Sequence, residues 1–122
     1  MTTKNEQNDK YEFTVAVTTP GKDKNDNYYT RCAFVRGHRL SAVGASNSAT
    51  NTSIYVEHLM RRASTSVLLV DSDKLGKNSV CQFAKLTEFD RIITDDKNPC
   101  PPDILEVLEN SDTELTIVHC EE

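Results

Sequence analysis

Four consecutive apolar residues, Val67-Leu68-Leu69-Val70, stop abruptly at Asp71-Ser72-Asp73-Lys74. An unbroken run of that kind, without alternation, suits a strand inside a parallel sheet whose two faces are both covered by helices. The same design recurs downstream, where Ile92-Ile93 leads into Thr94-Asp95-Asp96. Two buried strands ending on carboxylates commit the chain to an α/β architecture, because parallel strands need crossover segments between them.

The rest of the chain supplies such segments. Val56, Leu59, Met60 and Ala63 recur at helical spacing and predict a helix whose N-terminus Thr52 or Ser53 can cap and which ends near Ser64 to Ser66. Glu57 and Arg61, at i and i+4, add a small surface attraction. Pro101 and Pro102 can open a second helix, with Ile104, Leu105 and Leu108 on its apolar face and Asn110-Ser111 at its end. Strand candidates lie at Phe13–Val17, where apolar residues alternate with Thr14, Ala16 and Thr18, at Cys32-Ala33-Phe34-Val35, and at Leu115–His119. Pro20-Gly21 is expected to break the first of these, with Lys22–Asn27 a solvated loop. The Ser-, Ala-, Asn- and Thr-rich stretch from Ser41 to Ser53 reads as one long loop.

At 122 residues the chain fits one domain, taken as residues 11–122 behind a polar tail at 1–10. A core this small has little stability to spare, which favours a homo-oligomer. The net charge of −5 opposes direct binding to nucleic acid, which asks for an excess of Lys and Arg on one face. The start lacks an apolar leader and no apolar run reaches the roughly 20 residues of a membrane span, so a cytoplasmic protein is expected. Cys32, Cys81, Cys100 and Cys120 form no Cys-x-x-Cys pair and no close cluster with histidine, so free thiols are expected and no metal or cofactor. Asp95-Asp96 carries the carboxylates of a Mg²⁺ ligand pair but has no partner carboxylates in the sequence, and reads as a turn.

Ligands of open α/β sheets bind beyond the carboxyl ends of the strands. Asp71, Ser72 and Lys74 sit at such an end, with Asp71 suited to accept from sugar hydroxyls and Lys74 to face a phosphate. Arg36, His38 and Arg39 follow the Cys32–Val35 strand around Gly37. If the two strands are neighbours, Arg36 or Arg39 converges with Lys74 on one crevice. Each group also has a plain structural reading, as a polar turn and as a solvated strand end.

The segment Val67–Asp96, VLLVDSDKLGKNSVCQFAKLTEFDRIITDD, resembles the effector domain of DeoR-type bacterial repressors. Asp71, Ser72, Lys74, Leu75, Gly76, Leu86, Phe89, Asp90, Ile93, Thr94 and Asp95 fall in order on that family's pattern. A weaker likeness runs back through Val56–Ala63 to Phe34-Val35. The resemblance implies a Rossmann-like, mostly parallel sheet with flanking helices, similar to part of the ribose-phosphate isomerase and CoA transferase fold. It implies a sensor of a phosphorylated sugar within a transcription regulator, or an oligomerisation domain, and not an enzyme. Asp71 and Lys74 would lie at the ligand pocket. The family's Asp-Ser-Gly-Thr-Thr phosphate loop and a helix-turn-helix are not found in this sequence. Arg36-Gly37-His38-Arg39 stands where the family has Gly-Ala-x-Gly, and Thr52 where it has Glu. A sugar-phosphate isomerase of the related fold is the alternative, with Asp71 as its base.

Overall fold

The computed structural model describes residues 16–48, 50–79 and 81–120. The expected tail at 1–10 and strand residues Phe13, Thr14 and Val15 lie outside them. A five-stranded sheet is built from β1 (Ala16–Lys22), β2 (Tyr28–Arg36), β5 (Ala63–Leu69), β7 (Arg91–Asp95) and β8 (Glu114–Val118), in the order β1-β2-β5-β7-β8. β2, β5, β7 and β8 run parallel, and β1 is antiparallel to β2. A second, three-stranded antiparallel sheet joins β3 (Arg39–Leu40), β4 (Ala45–Asn47) and β6 (Cys81–Ala84). Helix α1 (Thr50–Arg62) links β4 to β5, and α2 (Pro102–Glu109) links β7 to β8. Short 3₁₀ turns follow β5 at Ser72–Lys74 and β6 at Leu86–Glu88.

The mostly parallel α/β architecture is the expected one, and its register explains the core. Val35 pairs with Leu68, and Leu68 with Ile92; all three are fully buried. Paired residues point to the same face of a sheet. Val56 of α1, Ile104 and Leu108 of α2, and Leu40, Phe83 and Leu86 complete a single apolar cluster around that row. Phe83 and Phe89 meet edge to face, 6.3 Å between centroids. The next residues along the strands point the other way: Phe34, Leu69, Ile93 and Val118 line an open cavity. Both described helices therefore serve one face, which corrects the expectation that helices cover both.

Several boundaries also differ from the sequence reading. Pro20-Gly21 does not end β1, which continues to Lys22 across a bulge between Thr19 and Pro20. Proline is tolerated at a bulge on an edge strand because no ladder bond is asked of its missing N–H. The stretch 41–53 is not one loop. It holds β4, where Ala45, Ser46 and Asn47 are all buried, and the start of α1. The side-chain oxygens of Ser46 and Asn47 are used, the Ser79 N–H donating to Ser46 Oγ (2.7 Å) and the His38 N–H to Asn47 Oδ1 (3.2 Å), while the buried Asn47 Nδ2 has no hydrogen-bond partner among the described residues. Gly44 lets this layer close, since a Cβ there would stand 2.1 Å from the Ala84 carbonyl oxygen.

Ser53 is no cap. It is buried in the first turn of α1 and its hydroxyl donates to the Cys81 carbonyl (3.3 Å), fastening helix to small sheet. Thr52 lies inside the helix as well. The helix stops at Arg62 rather than at 64–66, and Ala63 already belongs to β5. The Glu57–Arg61 pair forms at 3.6 Å. No helix among the described residues is long and apolar enough to cross a membrane.

The two faces give β5 an internal contrast. Leu68→Ala leaves a hole in a fully enclosed position and is expected to cost about 2–5 kcal/mol. Leu69→Ala, on the open face at 39 % exposure, is expected to cost under about 1 kcal/mol. Urea melts of the two variants check this.

Candidate functional site at the carboxyl ends of β2 and β5

β2 and β5 are neighbours, and Arg36 pairs with Leu69 at their last described step. The condition for the two cationic groups to share one crevice is thereby met. Gly37 turns the chain out of β2, its N–H donating to the Leu69 carbonyl at 3.0 Å. It is buried, and a Cβ there would press on Leu68 Cδ1 at 3.1 Å. His38 and Arg39 follow at once. Leu40 then makes a parallel bridge to Leu75, and its carbonyl accepts from the N–H groups of Gly76 (2.6 Å) and Lys77 (3.2 Å). The turn after β2 is thus stitched to the turn after β5, which brings His38 and Arg39 beside Lys74.

The electrostatics record this convergence. The pKa of His38 is held below its ordinary value by partial desolvation first, then by the positive charges of Arg39, Lys74 and Arg36. Lys74 keeps its stem against the protein, with only 19 % of the side chain exposed. Its Nζ stands 3.9 Å from an Asp71 carboxylate oxygen, a loose contact, and the Asp71 side chain is 68 % exposed. Arg39 donates to the His38 carbonyl (2.7 Å). Four nitrogen-bearing side chains, Arg36 at the end of β2 with His38 and Arg39 after it and Lys74 after β5, gather with one exposed carboxylate. Such a set attracts an anion and leaves an acceptor for hydroxyl groups.

Ser72 has a different place. It is buried, its N–H donates to Asp95 Oδ2 (3.0 Å) and its hydroxyl to Asp95 Oδ1. Its Oγ in turn accepts from the backbone and side-chain nitrogens of Asn98, at 3.1 and 3.2 Å. The Lys97 N–H also donates to Asp95 (2.9 Å). Asp95 therefore clasps the turn after β5 to the turn after β7. The sequence reading took Asp95-Asp96 as a turn and assigned neither residue this work. Asn47, which seats the His38 backbone, was missed too, because a polar residue in a low-complexity stretch gives no local sign of burial. The signal for Asp95 was present in the family pattern, where both Ser72 and Asp95 fall.

A cavity of about 470 Å³ opens on the uncovered face, walled by Val17, Phe34, Leu69, Ile93 and Val118, with Arg36, Asp71 and Asp95 among its polar lining. Of the six residues singled out from the sequence, Arg36 and Asp71 line this cavity; His38, Arg39, Ser72 and Lys74 do not. Among the described residues no cluster of three or more His, Cys, Asp or Glu side chains is placed to hold a metal ion.

An open, mostly parallel α/β sheet with its charged groups gathered at the carboxyl strand ends defines a ligand-binding α/β domain. Residues 10–96 match the DeoR C terminal sensor domain, and the chain belongs to that family. That is a regulatory sensor family, and the membership makes this an effector-binding kind of domain. Among curated proteins none matches the chain.

The clasp gives a pH signature. Bonds from the Ser72 hydroxyl, the Ser72 N–H and the Lys97 N–H hold the Asp95 carboxyl down to about 2, against an ordinary 3.8. A folded-state pKa below the unfolded one contributes stability above the unfolded value, and that contribution is lost as pH falls through the folded value. Part of the acid sensitivity of folding between about pH 5 and pH 2 is therefore assigned to Asp95. Asp95→Asn is expected to lower the melting temperature at neutral pH, with the difference from wild type shrinking toward pH 2. Melting curves across that range check it.

Proposed function

We propose that this chain is the effector-binding domain of a DeoR-type transcription regulator and that its effector is a phosphorylated sugar. The observation that supports the reading best is the gathering of Arg36, His38, Arg39 and Lys74 at the ends of two adjacent parallel strands, whose following turns are joined by the Leu40–Leu75 bridge. In this reading Lys74 and Arg39 meet the phosphate, with Arg36 and His38 adding charge from the β2 side. Asp71 gives up its loose contact with Lys74 and accepts from the sugar's hydroxyls. Ser72 acts through position: held by Asp95, it sets the path of the turn that presents Asp71 and Lys74. A partly sequestered Lys74 stem loses less rotamer freedom on binding than a fully solvated lysine.

DNA contact is not part of the role proposed for this chain, whose net charge is −5. A gel shift is expected to show no complex that survives moderate salt. The same reading has the domain working as an oligomer and in the cytoplasm, and expects no isomerisation of ribose 5-phosphate.

Calorimetry against a panel of sugar phosphates tests the site. A charge-assisted contact to phosphate is worth about 1.5–3 kcal/mol, so Lys74→Ala is expected to weaken binding roughly ten- to a hundredfold. Its melting temperature should stay near wild type. Unchanged affinity in Lys74→Ala, or no binding by any sugar phosphate, would overturn the proposal.

His38 supplies a second test. A bound phosphate relieves the repulsion from the three cations and raises the His38 pKa. The ligand then favours the protonated ring, and affinity should rise as pH falls from about 8 to about 6. His38→Gln should flatten that slope, leaving only the contribution of the phosphate's own ionisation.

A further inference from the structure

The two outer strands of the large sheet are built differently. β1 carries a bulge between Thr19 and Pro20, the proline itself, and Lys22 near its end. Bulges, prolines and lysines are how sheet edges are kept from pairing with other chains. β8, Glu114-Leu115-Thr116-Ile117-Val118, has none of these, and its pairing with β7 runs without a break from Glu114 to Val118. Among the described residues no strand pairs with its outer side. Ile117 and Val118 are each 51 % exposed there.

The backbone directions say how such an edge can be used. The Glu114 N–H donates to the Asp90 carbonyl, and the Val118 carbonyl accepts from the Asp96 N–H, both at 3.1 Å. Residues 114 and 118, and by the alternation of the strand 116, thus turn their backbone groups toward β7. Leu115 and Ile117 turn theirs outward, two N–H donors and two carbonyl acceptors. The five residues are complementary to themselves. Placed antiparallel about a two-fold axis through Thr116, Leu115 of one strand lies opposite Ile117 of the other.

In that register the outward groups of Leu115 and Ile117 exchange both bonds, a hydrogen-bonded pair on each side of the axis. The two Thr116 residues face each other as the close, non-hydrogen-bonded pair between them. Leu115 and Ile117 share the face of Ile92, so each apolar side chain gains an apolar neighbour across the junction. On the other face Glu114 lies opposite Val118 with its charge already paired to Arg91.

We propose that β8 is a homodimer edge: a second copy of this chain adds its own β8 in antiparallel register centred on Thr116, joining two five-stranded sheets into one of ten strands. The occupant is a second copy rather than an unrelated extended peptide because this register satisfies all four outward groups and both apolar side chains with the same five residues. The proposal rests on the oligomer in the proposed function and locates its interface, but it is separate from the ligand assignment, since no residue of β8 is assigned to the ligand; an unaffected dimer in Ile117→Lys would overturn this edge alone.

Sedimentation and cysteine cross-linking test it on the whole chain. Wild type is expected to dimerise, and Ile117→Lys, a change at an exposed side chain, should raise the dimer dissociation constant at least about tenfold. Thr116→Cys should give a symmetric disulfide, because close cross-strand pairs have the Cα spacing a disulfide needs. Val118→Cys, on the same face but two residues off the axis, should cross-link at least about tenfold more slowly, since its Cα separation exceeds roughly 7 Å. Both are read above the background of the four native cysteines in wild type. A wild-type monomer at concentrations on the order of 100 μM, an unaffected dimer in Ile117→Lys, or equal cross-linking at 116 and 118 would each overturn it.

Discussion

The structure depends first on the parallel pairing of β5 with β2 on one side and β7 on the other. Val35, Leu68 and Ile92 form one buried row across the three strands. That row anchors the apolar cluster to which both helices and the small sheet contribute. The same pairing decides what stands at the strand ends. Arg36 falls beside Leu69, and the turn after β5 falls within reach of Asp95. A one-residue slip would turn the apolar row to the open face and dismantle the site with it.

The small sheet turns neighbouring strand ends into a crevice. The Leu40–Leu75 bridge and the two bonds into the Leu40 carbonyl hold His38 and Arg39 against the Lys74 turn, with the Ser41 hydroxyl and Asn78 side chain adding a further tie. The sheet is made of residues that look unfit for a core, among them Ser46 and Asn47. They serve because the layer is thin: Gly44 allows close approach to Ala84, and the hydroxyl and amide oxygens take up backbone N–H groups that would otherwise be stranded. The charges of the site are thus positioned by apolar and backbone contacts rather than by one another. Repulsion among Arg36, His38, Arg39 and Lys74 is tolerated at a solvent-facing rim, where water screens it.

The open face gives the molecule a second asymmetry. Parallel strands normally read as apolar on both sides, and β5 does so with Val67 and Leu69 as well as Leu68. Phe34, Leu69, Ile93 and Val118 nevertheless look onto a cavity instead of a helix. Together with the unprotected edge of β8, this leaves apolar side chains exposed on one face and at one edge of the large sheet.

Much of the architecture could be read from the residues alone. The run Val67–Val70 and its echo at Ile92-Ile93 sufficed for parallel, buried strands, and helical spacing placed both helices, because burial patterns are local in sequence. The family pattern from Asp71 to Asp95 carried the assignment, and three of its residues, Ser72, Asp90 and Asp95, hold turns or strand ends. What lay beyond reach was non-local. β4 has no apolar signal, and only its partners β3 and β6 make burial of Ser46 and Asn47 favourable. The strand through Pro20 requires knowing that β1 is an edge. Ser72, grouped with the ligand residues by its neighbours in sequence, meets Asp95 only after 23 residues of chain have folded back. The sequence by itself determined the parallel strands and both helices and which charges would follow the strands. Tertiary structure decided which of those charges meet, because hydrogen bonds and charge interactions act over a few ångströms in space, whatever the distance along the chain.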